Sequence, residues 1–210
     1  LDQAAISNEV SLTWVDPWPG VVTGGVRYSR AWPAKWPWSE TLVANQDVAS
    51  VFAEFETAGT MAYDALRIAA HRPRQLGEVD DKALPHEFDW LASAVHLTKG
   101  CYRGQETVAK VHNLGHPPRR LVVLNLEVGD TLANPGEEIS YQGKLVGKVL
   151  AGALHYEAGS LALGLVNRNT PYLDLNVCNM TASQRVLVPA DAGKAANLPR
   201  PSAFKLSGKK

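Results

Sequence analysis

Lys99-Gly100-Cys101-Tyr102-Arg103-Gly104-Gln105-Glu106 sets one of the chain's two cysteines between two cations, with a glycine on each side. Glycine permits backbone shapes and close approaches that a side chain forbids. Lys99 and Arg103 bring positive charge near the Cys101 thiol, which favours the nucleophilic thiolate. Gly104-Gln105-Glu106 then opens a predicted helix, with Val108 and Val111 inward and an end near Asn113-Leu114-Gly115. A lone cysteine beside a turn is also a common structural residue, so the octet is weighed with what flanks it.

On its N-terminal side, Pro85 suits the first turn of a helix, and Phe88, Leu91, Ala92 and Val95 fall on one face. That face aims the octet from a packed support. Asn45 reads as the cap of a helix running to about Ala58, with Val48, Val51, Phe52 and Phe55 together and Gly59 as its stop. Periodicity does not decide between helix and strand for Met61 to Ala70. His71-Arg72-Pro73-Arg74 reads as a basic turn, solvated or in contact with an anion. Val10–Val15 alternates like a strand, Asp16–Gly20 has turn composition, and Val21–Tyr28 reads as the returning strand of a hairpin. Gly24-Gly25 marks a bulge or a close backbone approach there. Five of the six tryptophans lie between positions 14 and 38, as a hydrophobic seam against another layer or a stacking platform for a flat ligand.

On the C-terminal side, His116-Pro117-Pro118-Arg119-Arg120 has the stiffness of a domain junction. Short strands follow at Leu121–Leu126, Glu138–Tyr141, Leu145–Ala153, Leu161–Val166 and Arg185–Val188, with a tight Gln142-Gly143 hairpin turn. Regularly spaced strands and turns predict a small antiparallel barrel or sandwich. Cys178, in Leu175-Asn176-Val177-Cys178, reads as a small core residue. The predicted organisation is an α+β domain over 1–116, a β-barrel over 117–190 and a loose or draped tail over 191–210.

The 210 residues suffice for a sizeable core. Twenty-one basic residues balance 21 acidic ones, so no global field advertises nucleic acid or a membrane surface. Two cysteines 77 positions apart provide neither a disulfide framework nor a four-ligand metal site, and no metal ligand set is assigned. A reducing, cytoplasmic setting fits that usage. No apolar run reaches the roughly 20 residues of a spanning helix.

The octet matches every fixed position of Lys-Gly-Cys-Tyr-x-Gly-Gln-Glu, the signature of the YgfZ family, folate-binding relatives of the glycine-cleavage T protein, an aminomethyltransferase. Ala65-Leu66-Arg67-Ile68 resembles that family's Leu-Arg-Ile strand, and Leu84-Pro85-His86-Glu87 its Leu-Pro-x-Glu segment. Arg119-Arg120-Leu121 and Leu145–Val149 resemble its C-terminal barrel, so the likeness runs over roughly residues 45 to 190. It implies a GcvT/YgfZ-like folate-binding α/β domain, incomplete at its N-terminus in this chain, followed by a small antiparallel β-barrel. The remaining N-terminal strands are then expected from another chain, or to have been lost by cleavage.

The resemblance implies tetrahydrofolate as cofactor, with Arg67, Glu87, Lys99, Tyr102 and Arg103 as binding residues and Cys101 as the working thiol. Tyr102 and Gln105 would shape the loop, and Glu106 would serve the following helix start. In the family, Leu-Arg-Ile is commonly followed by a glutamate that hydrogen-bonds the pterin; Ala69 stands there, with His71 where glycine is usual. Losing such a charge-assisted pair costs on the order of 1.5–3 kcal/mol unless Glu87 or a residue outside this chain substitutes. The function implied is an accessory factor for iron–sulfur cluster assembly or repair, supporting radical-SAM enzymes that modify tRNA. A folate-dependent one-carbon transferase like the T protein is the alternative. A third reading is a tRNA- or protein-binding module, using the tryptophans and a basic strip of Lys99 and Arg103 with Lys110, His112, His116, Arg119 and Arg120.

Overall fold

In the computed structural model, residues 5–7, 10–16, 20–30, 37–127 and 131–196 are described. Short ladders come first: β1 (Ile6–Ser7) pairs with β2 (Val10–Ser11), and β3 (Thr13–Val15) pairs with β4 (Ser39–Thr41), both antiparallel. Helices α1 (Val48–Glu54), α2 (Thr60–Ala69), the single turn α3 (Gln75–Glu78) and α4 (Gln105–Leu114) follow. Strands β5 (Arg119–Leu126), β6 (Glu138–Tyr141), β7 (Lys144–His155), β8 (Gly159–Asn167), β9 (Leu175–Val177) and β10 (Met180–Val186) close an antiparallel barrel in the order β10-β5-β8-β7-β6-β9.

The barrel explains why β5 and β8 lack polar alternation. Val122, Leu124, Ala162 and Val166 pack with Ile139 and Val177 in the barrel's own core. Leu121, Val123, Leu161, Leu163 and Leu165 pack outward with Ala65 and Ile68 of α2 and with Phe88. A strand covered on both faces is apolar at every position. Gly164 leaves room inside, since a Cβ there would stand 2.8 Å from Ile139 Cδ1. The Gln142-Gly143 turn, with φ of 50° and 74°, joins β6 to β7 as its composition predicts. β9 is too short, at three residues, to announce itself by alternation.

Local readings fail wherever a partner far along the chain decides. Within the 10–15 segment, Val10–Ser11 pairs with Ile6–Ser7 and Thr13–Val15 with Ser39–Thr41, in place of the expected Val21–Tyr28. The 21–28 segment instead runs along 89–97, where Gly24 and Gly25 bring backbone against His96 and the Leu91 and Ala92 carbonyls. The helix expected to reach Ala58 stops at Glu54; Asn45 begins a short 3₁₀ turn without capping it. Phe52 and Phe55 stay 60% and 55% exposed, so that face gains little packing to extend a short helix. Gly59 precedes α2 instead of ending α1. Residues 65–68, expected as a strand by resemblance, lie in α2 because Ala65 and Ile68 meet the barrel at helical spacing.

The basic turn 71–74 is not a solvated loop: His71 and Arg72 are buried, and Arg72 pairs with buried Asp16 at 2.9 Å. The helix opened by Pro85 is one 3₁₀ turn, ended by Asp89 at φ 58°. Cys178 is exposed, a correction to its core reading, because at φ 52° it sits with Asn179 in the turn between β9 and β10. Its thiol bonds the Glu137 carboxylate. Residues 190–196 are draped: Ala192 is buried, and Ala195 N and Ala196 N donate to the His112 and Asn113 carbonyls at 2.9 and 3.1 Å. These bonds satisfy carbonyls that the end of α4 leaves free.

Candidate functional site

Three buried polar groups within four positions, His86, Glu87 and Asp89, root the platform ahead of the octet. His86 Nε2 lies 3.1 Å from Val108 O, tying the platform to α4. Glu87 accepts from Leu84 N at 3.1 Å and from Arg119 Nε and Nη2 at 2.9 and 2.8 Å, tying it to β5. Asp89 accepts from Tyr28 N at 2.6 Å and Ser29 N at 3.2 Å, tying it to the 21–28 segment. Phe88, between these groups, is buried and stacks on Trp90 at 4.7 Å.

The octet emerges from this platform as an exposed loop. Lys99, Gly100, Cys101 and Arg103 are exposed and Tyr102 is half-buried. Gly104, at φ +80°, turns the chain into α4, a backbone shape that favours glycine. Neither glycine serves a close approach, since a Cβ on Gly100 or Gly104 would meet nothing within 4 Å, and of the two it is Gly104 whose φ calls for glycine. Glu106 lies in the first turn of α4, where a carboxylate is favoured by the helix dipole, and α4 has no side-chain cap bond. Lys99 Nζ stands 5.5 Å from the centre of the Tyr102 ring.

A cavity of about 520 Å³ opens beside the loop, lined by Leu84, Val95, His96, Lys99, Tyr102 and Arg103 among others. The Tyr102 hydroxyl is buried without a hydrogen-bond partner. Two cations, an aromatic ring and an orphaned hydroxyl suit a ligand that is anionic and aromatic, the chemistry of a folate. Cys101 stands on the exposed loop adjoining this lining as a free thiol. His96 was missed by sequence reasoning, since a single histidine in an amphipathic segment carries no signal.

Two residues assigned to folate by resemblance are placed elsewhere. Arg67 is buried and donates to Asp64, to Arg72 O at 3.0 Å, and to both Glu78 oxygens at 2.9 and 2.6 Å. That network holds α2 to the 71–78 turn and leaves the guanidinium engaged. Glu87 is fully buried under Arg119, so it does not stand in for the carboxylate missing at Ala69, itself packed beside the core. The basic strip is not assembled either. Arg119 is bound to Asp80 and Glu87, Arg120 is fully buried against Thr170 O and Gln184, and His116 meets Ala192 O. His112 Nδ1 bonds the Tyr28 hydroxyl at 2.8 Å, with the two rings stacked. Trp14 and Trp38 meet edge to face, and Trp38 packs on Tyr63 of α2, a seam and not a free platform; Trp18, Trp32 and Trp36 lie outside the described residues.

A closed antiparallel barrel carrying helices against one side is a fold this chain shares with a solved aminomethyltransferase. The structure of glycine cleavage system aminomethyltransferase T from Bartonella henselae superposes with a TM-score of 0.58 at 16% identity, over 75% of this chain and 46% of that one. No family model matches the chain. It is 36% identical over 95 residues to a putative chloroplastic transferase of Arabidopsis thaliana, covering 43% of this chain and 20% of that protein. It is also 36% identical over 115 residues to an aminomethyltransferase of Rippkaea orientalis, covering 53% of this chain and 30% of that protein. The chain thus spans under a third of the length of these curated relatives. The sequence likenesses are thus to a putative transferase and to an aminomethyltransferase, and the structural likeness is one of fold. Among the described residues no helix is long and apolar enough to cross a membrane.

Proposed function

We propose that this chain binds a reduced folate in the cavity beside the octet, with Lys99 and Arg103 toward the ligand's carboxylates and Tyr102 against its ring system. Cys101 is then the working thiol of an accessory factor for iron–sulfur cluster assembly or repair, serving radical-SAM enzymes that modify tRNA in a reducing, cytoplasmic setting. The observation that carries this reading is the exposed Cys101 thiol next to a cavity whose lining includes two cations and a buried, unpartnered Tyr102 hydroxyl. Ala69, without a carboxylate, predicts a modest affinity for the pterin. Cys101→Ala is expected to leave the protein folded while a cluster-dependent tRNA-modifying enzyme loses activity in cells. Full complementation by that variant would sink the accessory role.

The second reading, transfer of an aminomethyl or methyl group to tetrahydrofolate, is favoured by the likeness to the Rippkaea orientalis aminomethyltransferase. Such transfer needs a group that manages protons near the folate nitrogens. Turnover of an aminomethyl-lipoyl protein that survives Cys101→Ala would choose this reading over the first.

A further inference from the structure

Gly24 and His96 are 72 positions apart and lie in direct contact. Val22 N donates to Ala92 O, Val26 N to Leu91 O and Leu97 N to Gly24 O, each at 2.9 Å. Residues 22–26 therefore lie as a strap along the 91–97 wall. The His96 ring crosses Gly24 so closely that a Cβ there would stand 2.7 Å from His96 Cγ, and nearer still to Cε1 and Nδ1. Gly24 is also at φ +71°, a backbone shape L side chains rarely adopt. The strap thus holds a bare backbone under an imidazole.

Residues 94–99 of that wall line two cavities. His96 lines the cavity of about 520 Å³ that holds Lys99, Tyr102 and Arg103. Thr98 lines a second cavity, of about 450 Å³, with Gly24, Gly25 and His112. Among the described residues, the hydrogen-bond contact of His96 is a long one, from Nδ1 to Thr98 Oγ1 at 3.4 Å. Gly24 lies against the Nδ1 edge of the ring and sets its position, so Nε2 is the nitrogen left to a ligand.

We infer that His96 is a ligand-contacting residue of the Lys99–Arg103 cavity, and that Gly24 is its positioning residue. The inference rests on the folate-binding reading of that cavity. An imidazole in the half-buried wall offers a directional hydrogen bond to a ligand carbonyl or carboxylate, where Lys99, on the exposed loop, offers a point charge. Affinity then depends on the ring's placement as well as on its presence.

The test is calorimetric titration of the whole chain with 5-formyltetrahydrofolate, with a thermal melt of each variant. His96→Ala is expected to weaken binding about tenfold, the effect of losing one good hydrogen bond, with its melting temperature near that of the unmutated chain. Gly24→Ala is expected to weaken it about as much, by pushing the ring aside. In the double variant the new methyl no longer meets a ring. Its affinity should match that of His96→Ala alone, and its melting temperature should exceed that of Gly24→Ala. Losses that multiply to about a hundredfold would overturn the positioning role, as would no thermal recovery. If Gly24→Ala does not fold, recovery of folding by the double variant decides the same point. Unchanged affinity in His96→Ala overturns the contact while leaving the cavity reading intact. An unmutated chain that takes up no ligand overturns both.

Discussion

Arg119, the first residue of the barrel, grips the fully buried carboxylate of Glu87 with hydrogen bonds of 2.9 and 2.8 Å, and holds half-exposed Asp80 with its remaining donors. One guanidinium thereby joins β5 to the platform that carries the octet. The two carboxylates, Asp80 first, hold the Arg119 guanidinium well above its ordinary pKa, so it stays charged at any working pH.

Removing that cation leaves Glu87 charged and buried without its partner. Arg119→Ala is expected to cost about 3–5 kcal/mol, the usual penalty for breaking a buried pair. Asp80→Ala should cost at most about 1 kcal/mol, since Asp80 is 48% exposed and solvent screens it. Urea unfolding of the two variants measures the difference; equal losses would mean that the Glu87 contact is not what joins the barrel to the platform.

Acid should loosen the turn after α2. Burial, and then the neighbouring Arg185 and Arg72 charges, hold His71 at about 4, against an ordinary value of 6.5. The unfolded chain takes up this proton first as pH falls, so the contribution is intact above about 6.5 and drains away between 6.5 and 4. The loss is roughly 3 kcal/mol over that window. His71→Asn should flatten the slope, and asparagine tolerates the φ of 59° found there. Denaturant midpoints at pH 7, 5.5 and 4 for both proteins provide the check.

The two free cysteines should differ in chemistry although both are exposed. Desolvation, with the hydrogen-bonded Glu137 carboxylate, pushes the Cys178 thiol up to about 11. At pH 7.5 only on the order of one molecule in a few thousand carries that thiolate, so alkylation at Cys178 should be slow. Glu137→Gln removes the charge and should speed it several-fold. Peptide mapping after brief iodoacetamide treatment reads both sites, and rapid labelling of Cys178 in the unmutated chain would contradict the assignment.

Lys99 and Arg103 are exposed, so their pull on an anionic ligand should be modest and salt-sensitive. Lys99→Ala and Arg103→Ala should each weaken 5-formyltetrahydrofolate binding about threefold to fivefold at low ionic strength. The difference should shrink toward none in about 0.5 M salt, where the Debye length falls below 5 Å. Losses that persist at high salt would indicate a desolvated contact.

Much of the barrel was legible because its signals are local. Leu121–Leu126, Glu138–Tyr141 and the Gln142-Gly143 turn carry their own periodicity and turn chemistry, and the strands formed there. The octet was legible as a loop entering a helix, since glycine before Gln105 is a local conformational device. The pairing of β3 with β4 was not legible, because a three-residue strand contains no information about its partner. Cys178 misled because an apolar tripeptide before it resembles core, while the turn that exposes it depends on β9 meeting β10.

Arg67 and Glu87 show the same division within the site. Their residue types suit a ligand or an ion pair equally, and only the placement of Glu78 and Arg119 chose the pair. By itself, then, the order of residues determined most of the barrel strands, the turn into α4 and a candidate thiol at Cys101 between two cations, all properties of a few neighbouring side chains and backbone angles. The tertiary structure alone decided which charges were spent on holding the fold, that His96 faces the cavity, and that Gly24 lies beneath it. Those outcomes depend on which distant groups desolvate one another, and burial is a property of the assembled chain.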